Sequence, residues 1–111
     1  MSDCRCFNPP FDYQDYDTSP VGTDMTNGRY GEVTLKTCKH CGTIWLNYHV
    51  EYESYTASGR WFRGPISRAD ATKMAPESAI AYLERLPWYF AGGSYFRSCG
   101  ERWSGPIHAD L

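Results

Sequence analysis

The residues best suited to chemistry in this chain are its cysteines. Cys38 and Cys41 stand two residues apart in Cys38-Lys39-His40-Cys41-Gly42, Cys4 and Cys6 form a second close pair, and Cys99 stands alone. In a reducing compartment, close cysteine pairs bind metal or do redox chemistry more often than they form structural disulfides, and the odd count argues against a disulfide framework. A structural zinc ion takes four soft ligands at about 2.3 Å in a tetrahedron, which sets neighbouring sulfurs just under about 4 Å apart. A C-x2-C turn can fold both thiolates inward at that separation, and Gly42 follows where a positive φ is often required. Cys4 and Cys6 are harder to place, because residues i and i+2 of a straight strand lie about 7 Å apart. Their segment must bend to offer both sulfurs to one ion. The expected set is Cys4, Cys6, Cys38 and Cys41 around one Zn2+. The alternatives are His40 or His49 in place of one thiol, iron in place of zinc, and reduced cysteines without metal. Four protein ligands close the coordination sphere to water and substrate, so a metal held this way is structural.

Other groups that could do chemistry are sparse. His40, His49 and His108 sit in unrelated contexts. Cys99, beside Gly100, would need a nearby histidine to act as a nucleophile; a free, half-buried thiol is the more ordinary outcome. Asp12, Asp15 and Asp17 cluster in the stretch DYQDYD, where carboxylates on a loop are usually solvated. The AGGS stretch is too short for a phosphate-binding loop and precedes a strand pattern. The expectation is a non-enzyme.

The elements that must position the cysteines follow from periodicity. Val33 and Leu35 alternate with Glu32, Thr34 and Lys36 before the C-x2-C turn. Ile44, Leu46, Tyr48, Val50 and Tyr52 alternate with Thr43, Trp45, Asn47, His49 and Glu51 after it. Period two on both sides predicts two half-buried strands joined by the cysteine turn. Over about residues 31–50 this stretch resembles the knuckle of zinc-ribbon and rubredoxin-type proteins, although the Cys4/Cys6 pair departs from the ribbon's repeated C-x2-C. No family resemblance extends over the whole chain.

Before the knuckle, residues 1–28 are rich in turn formers without strand or helix periodicity, and read as an irregular arm tied on by the zinc site. Residues 43–56 read as one long strand, ASG as a tight turn, and Arg60 to Ile66 as the returning partner, so that 29–66 holds the knuckle hairpin and a strand pair. Pro76 suits a first helical position, and Ala79, Tyr82, Leu83 and Leu86 form a helical stripe, giving a helix over 75–86 stopped by Pro87. Residues 88–107 read as a second hairpin. GRWFRGPISRAD at 59–70 and GERWSGPIHAD at 100–110 echo one another, either through an old duplication or because hairpins ending in Gly-Pro look alike. The expected fold is α+β in a single domain: an antiparallel sheet of about five strands, with two hairpins and one helix.

Composition bounds the rest. A chain of 111 residues with 41% hydrophobic, 22% charged and 16% aromatic residues describes one soluble globule with an aromatic, β-rich core. No run approaches the roughly 18 apolar residues of a membrane span. The start lacks the apolar stretch of a secretory signal, so a cytoplasmic location is the default. The formal net charge of −2 hides an asymmetry: four basic against eight acidic side chains over residues 1–53, seven against five over 54–111. An acidic, tyrosine-rich arm beside Arg/Trp-bearing strands suits a protein partner. The expected contact residues are Asp12, Tyr13, Asp15, Tyr16, Asp17, Trp61, Arg63, Arg102 and Trp103. The leading expectation is a small zinc-stabilised interaction module, of the kind of a bacterial inhibitor or immunity protein. A zinc-ribbon-like nucleic-acid binder is the second reading, weakened by the lack of a basic run. A cysteine-dependent enzyme is the third.

Overall fold

The computed structural model describes residues 4–9, 11–28, 30–50, 59–93 and 98–107. Six strands, β1 (Tyr16–Asp24), β2 (Gly31–Cys38), β3 (Ile44–Val50), β4 (Arg60–Ile66), β5 (Tyr89–Gly93) and β6 (Ser98–Trp103), form one sheet. They lie in the sheet in chain order, and every neighbouring pair is antiparallel. Between β4 and β5 come a short α1 (Arg68–Ala71), a 3-10 turn at Pro76–Ser78 and α2 (Ala79–Glu84).

The alternation around the cysteine turn produces the β2–β3 hairpin, with Leu35 opposite Leu46 and Val33 opposite Tyr48. β4 then pairs with β3 along its whole length, from Ile44↔Ile66 to Val50↔Arg60. Of the long strand expected over 43–56, residues 51–56 lie outside the described residues, as do the first two residues of the ASG turn. Pro65 fits inside β4 because β5 pairs only with Trp61, Phe62 and Arg63, leaving no β5 partner at the position whose N–H is missing.

Two faces give two cores. On one, Val33, Leu46, Tyr48, Val50, Phe62, Ile66, Tyr89 and Ala91 pack under Ala79, Ile80 and Leu83 of α2. Pro76 opens this helical segment, as its fixed φ favours. On the other face, Tyr16, Cys38, Trp45 and Phe90 are buried together with Cys6, and Phe7, Phe11, Trp61 and Trp88 pack against them. Alternation alone puts Trp45 on the polar side of β3. It is fully buried there because the N-terminal segment lies over it.

The sheet has six strands rather than about five, and the extra one, β1, lies in the stretch expected to be irregular. The reason is its position. β1 is an edge strand, mostly exposed, so it needs no alternating pattern of its own and is templated by the regular β2 beside it. Pro20 is tolerated at an edge, and a register shift between Pro20 and Gly22 absorbs the misfit. Gly22 has φ 149°, and a Cβ there would fall 2.7 Å from Pro76 Cγ, so only glycine lets the helical segment seat on β1. The Gly-Pro echo does not yield two equivalent edges. Gly64-Pro65 lies inside an internal strand, whereas Gly105-Pro106 follows the edge strand β6.

Candidate metal centre

Four thiols meet where the N-terminal segment crosses the β2–β3 turn. The sulfurs of Cys4, Cys6, Cys38 and Cys41 all lie within 4.8 Å of one another. Each arm sulfur approaches one knuckle sulfur: Cys4 to Cys38 at 3.6 Å and Cys6 to Cys41 at 3.5 Å. These separations are close to the roughly 3.8 Å edge of a zinc–thiolate tetrahedron. All four are free thiols.

Local structure explains both pairs. In the knuckle, Cys38 closes β2, its carbonyl accepts from Gly42 N–H at 2.9 Å, and Gly42 takes the positive φ of 80° that reverses the chain. In the arm, the required bend is a single 3-10 turn over Arg5–Phe7, closed by Phe7 N–H donating to Cys4 O at 3.0 Å. It replaces the extended spacing with a compact one and turns both sulfurs toward the knuckle.

The donors around the sulfurs suit thiolates. His40 N–H donates to Cys38 Sγ at 3.4 Å. The Cys6 N–H faces the Cys4 sulfur, and the Thr43 hydroxyl, 3.2 Å from Cys41 Sγ, is joined by the Thr43 N–H. The Trp45 indole N–H approaches Cys6 and favours its thiolate, yet it is buried without a partner at ordinary hydrogen-bond distance. Cys4, Cys38 and Cys41 therefore each have a donor, and the Trp45 indole N–H stands close enough to Cys6 to favour its thiolate. Neutral thiols are weak acceptors, whereas thiolates repay such donors, and outer hydrogen bonds of this kind tune metal sites. The protons divide unevenly across the cluster. The Thr43 hydroxyl above all pulls Cys41 down to about 6. Burial pushes Cys6 well up. For Cys4, the Cys6 N–H lowers the pKa, but burial and the neighbouring thiols together raise it. Several like groups this close cannot all ionise alone, and a dication removes that conflict. The residues fit a metal.

Neither candidate histidine belongs to this cluster. His40 Nε2 lies 3.0 Å from Asp15 Oδ1, and His49 lines a groove elsewhere on the sheet. His108 lies outside the described residues, and Cys99 falls on β6 with its side chain undescribed. Asp15 organises the surroundings of the cysteines. Its carboxylate accepts from Arg5 and faces His40, and its backbone carbonyl accepts from Lys39 N–H at 2.8 Å. Arg5, then His40, hold its carboxyl below the usual carboxylate range. One acidic residue thus joins both cysteine-bearing segments.

The contact residues expected from sequence are not one surface. Asp15 (6% exposed), Tyr16 and Arg63 are buried; Asp12, Tyr13, Asp17, Arg102 and Trp103 are exposed, and Trp61 is half-buried. Tyr16, Trp61 and Arg63 do come together, but as a packed cluster. The Arg63 guanidinium lies 4.4 Å from the Phe11 ring centre, 5.0 Å from Tyr16 and 5.5 Å from Trp61. Arg102 stacks on Trp88 at 4.2 Å. Asp12 caps the 3-10 turn Tyr13–Asp15 by accepting from Gln14 N–H. Sequence reasoning overlooked the thiolate donors Thr43 and Trp45, and the arm anchors Phe7 and Phe11. The usable signals were a hydroxyl two residues after Cys41 and phenylalanines one and five residues beyond Cys6.

No protein-family model matches the chain, and no curated protein or solved structure matches it either, so the functional reading rests on the site itself. Fold and site together define a small, mostly β domain with four cysteines positioned to hold a metal ion. No helix among the described residues is long and apolar enough to cross a membrane.

Proposed function

We propose that this protein is a zinc-stabilised interaction module, in which one structural Zn2+ bound by Cys4, Cys6, Cys38 and Cys41 clamps the N-terminal segment over the aromatic face of the sheet. The observation that carries the reading is the cluster itself, with four sulfurs within 4.8 Å and N–H or hydroxyl donors at Cys4, Cys38 and Cys41. Zinc is favoured over iron because the cluster needs only a redox-inert, tetrahedral, thiolate-binding ion to do its structural work. With four thiolates bound, the ion has no open position, so it stabilises rather than catalyses.

What the clamp holds in place supports a binding role. Phe7 packs on Trp45 and Trp88, with ring centres at 4.9 and 6.2 Å, and Phe11 packs on Trp61 and Phe90. This leaves Asp12, Tyr13 (79% exposed) and Asp17 presented on a segment anchored at both ends, by the metal site and by β1. Acidic groups beside an exposed tyrosine suit a basic protein surface: the charges steer the encounter and the ring supplies buried area. The role we assign is blocking or holding one protein partner, in the manner of an inhibitor or immunity-type protein in the cytoplasm. Capture of a partner by the wild-type chain, lost on replacing Tyr13 with Ala while zinc content is unchanged, is the expected result. A partner retained in full by that variant would place the interface elsewhere.

A further inference from the structure

The half of the aromatic face that the arm leaves open carries a groove of about 310 Å³, lined by Thr18, Glu32, Thr34, Lys36, Asn47 and His49. Strand register places its polar groups in rows. Thr34 lies opposite Asn47, and Asn47 opposite Arg63; Thr18 lies opposite Lys36 in the row on one side of these, and Glu32 opposite His49 in the row on the other side. Residues paired across antiparallel strands share a face, so Arg63 stands directly beside the groove's centre.

Arg63 is 8% exposed, and its Nε donates to Asn47 Oδ1 at 3.2 Å. Its Nη1 is buried and has no hydrogen-bond partner among the described residues. Aromatic rings cover the guanidinium faces and the Tyr16 hydroxyl serves part of it, but rings accept no in-plane hydrogen bond and Nη1 stays unsatisfied. A buried charged donor without an acceptor is costly, and native structures normally supply the acceptor. Asn47, having turned its oxygen to Arg63, keeps its NH2 as a further donor. Lys36 adds a second cation, its Nζ 3.3 Å from Thr18 Oγ1. The charged groups are therefore Lys36 and Arg63 against Glu32, with Lys36 one row to one side of Arg63 and Glu32 one row to the other. The set is rich in donors and short of acceptors where Arg63, Asn47 and Lys36 converge.

We infer that this groove binds the oxyanion group of a small ligand, a phosphate or carboxylate, between Lys36 and Arg63. Arg63 offers its unpartnered Nη1 N–H, Lys36 a point charge, and the Asn47 amide and Thr hydroxyls complete the shell. The volume accommodates a ligand larger than the oxyanion group alone. The site is separate from the metal centre and does not depend on the protein-binding role.

The test is an amide NMR titration of the zinc-loaded full chain at neutral pH and constant ionic strength, with inorganic phosphate, with acetate, and with chloride as control. Saturable shifts at Thr34, Lys36 and the Asn47 side-chain amide, absent with chloride, are expected. Saturation by both anions assigns the site to oxyanions generally, and by phosphate alone to phosphate groups. Lys36→Met should weaken binding at least about tenfold, with zinc content unchanged. Asn47→Asp, which gives Arg63 a carboxylate of its own, should abolish binding while the chain stays folded; it serves as the test should Lys36→Met fold poorly. Shifts that match chloride, or variants that bind as tightly as the wild type, would overturn the inference.

Discussion

Phe7 offers a way to ask whether the metal staples the arm. It is half-buried, immediately follows the most buried ligand, Cys6, and makes edge contacts to Trp45 and Trp88 at 4.9 and 6.2 Å. Truncating a fully buried Phe to Ala costs about 3–5 kcal/mol. Partial burial reduces this, and the two ring contacts restore part of it, at about 0.5–1.5 kcal/mol each. Phe7→Ala should therefore destabilise the zinc-loaded protein by about 2.5 kcal/mol, or about 10 °C in Tm for a chain of this length. If the metal holds the arm down, Phe7 is solvated in the metal-free protein whichever residue is present. The same substitution should then cost under about 0.5 kcal/mol, a coupling of about 2 kcal/mol between residue and metal. Urea denaturation of both proteins, with zinc and with chelator, measures all four corners. An equal loss in both forms would refute the argument, because the arm would then dock without its staple.

Four further outcomes follow from the same geometry. Cys38→Ser should release zinc and open the chain to protease before Tyr16, whereas Tyr16–Asp24 should resist, being hydrogen-bonded to β2; limited proteolysis with mass spectrometry reads the boundary, and early cleavage inside β1 would contradict it. In the metal-free protein, Cys41, pulled down to about 6, should alkylate first and Cys6 last, which peptide mapping checks. Because its folded pKa is lowered, the stability Cys41 contributes is complete only above the ordinary thiol pKa near 9 and falls away as pH drops toward about 6; a metal-free protein that gains stability on acidification through that window would contradict the sign. Tyr48→Phe removes a hydroxyl that donates to the fully buried Asp24 at 2.7 Å, and should cost about 2 kcal/mol by denaturation, with zinc content unchanged.

The knuckle was legible because its information is local. Cys38, Cys41 and Gly42 declare a turn, and the alternation on either side declares the strands and their register. The Cys4/Cys6 pair was legible through ligand count, since a knuckle supplies only two thiolates. Non-local features were not legible. β1 borrows its regularity from β2, so its own residues, including Pro20 and Gly22, look like loop. Trp45 sits at a polar-face position, and only the arm folding back through Phe7 makes that face a second core. Arg63 and Tyr16 belong to types common at interfaces, but the same rings and guanidinium pack equally well against each other. Asp15 sits among exposed acids in sequence, yet Arg5, His40 and the Lys39 N–H bury it as the link between two ligand-bearing segments.

X-ray absorption at the zinc edge, on protein purified without added metal, reads directly whether the four cysteines hold zinc in a closed, all-sulfur shell. About one zinc per chain with four sulfurs at about 2.3 Å and no nitrogen or oxygen in the first shell is the expected spectrum. A mixed shell with an imidazole or water, or protein that carries no zinc, would contradict it.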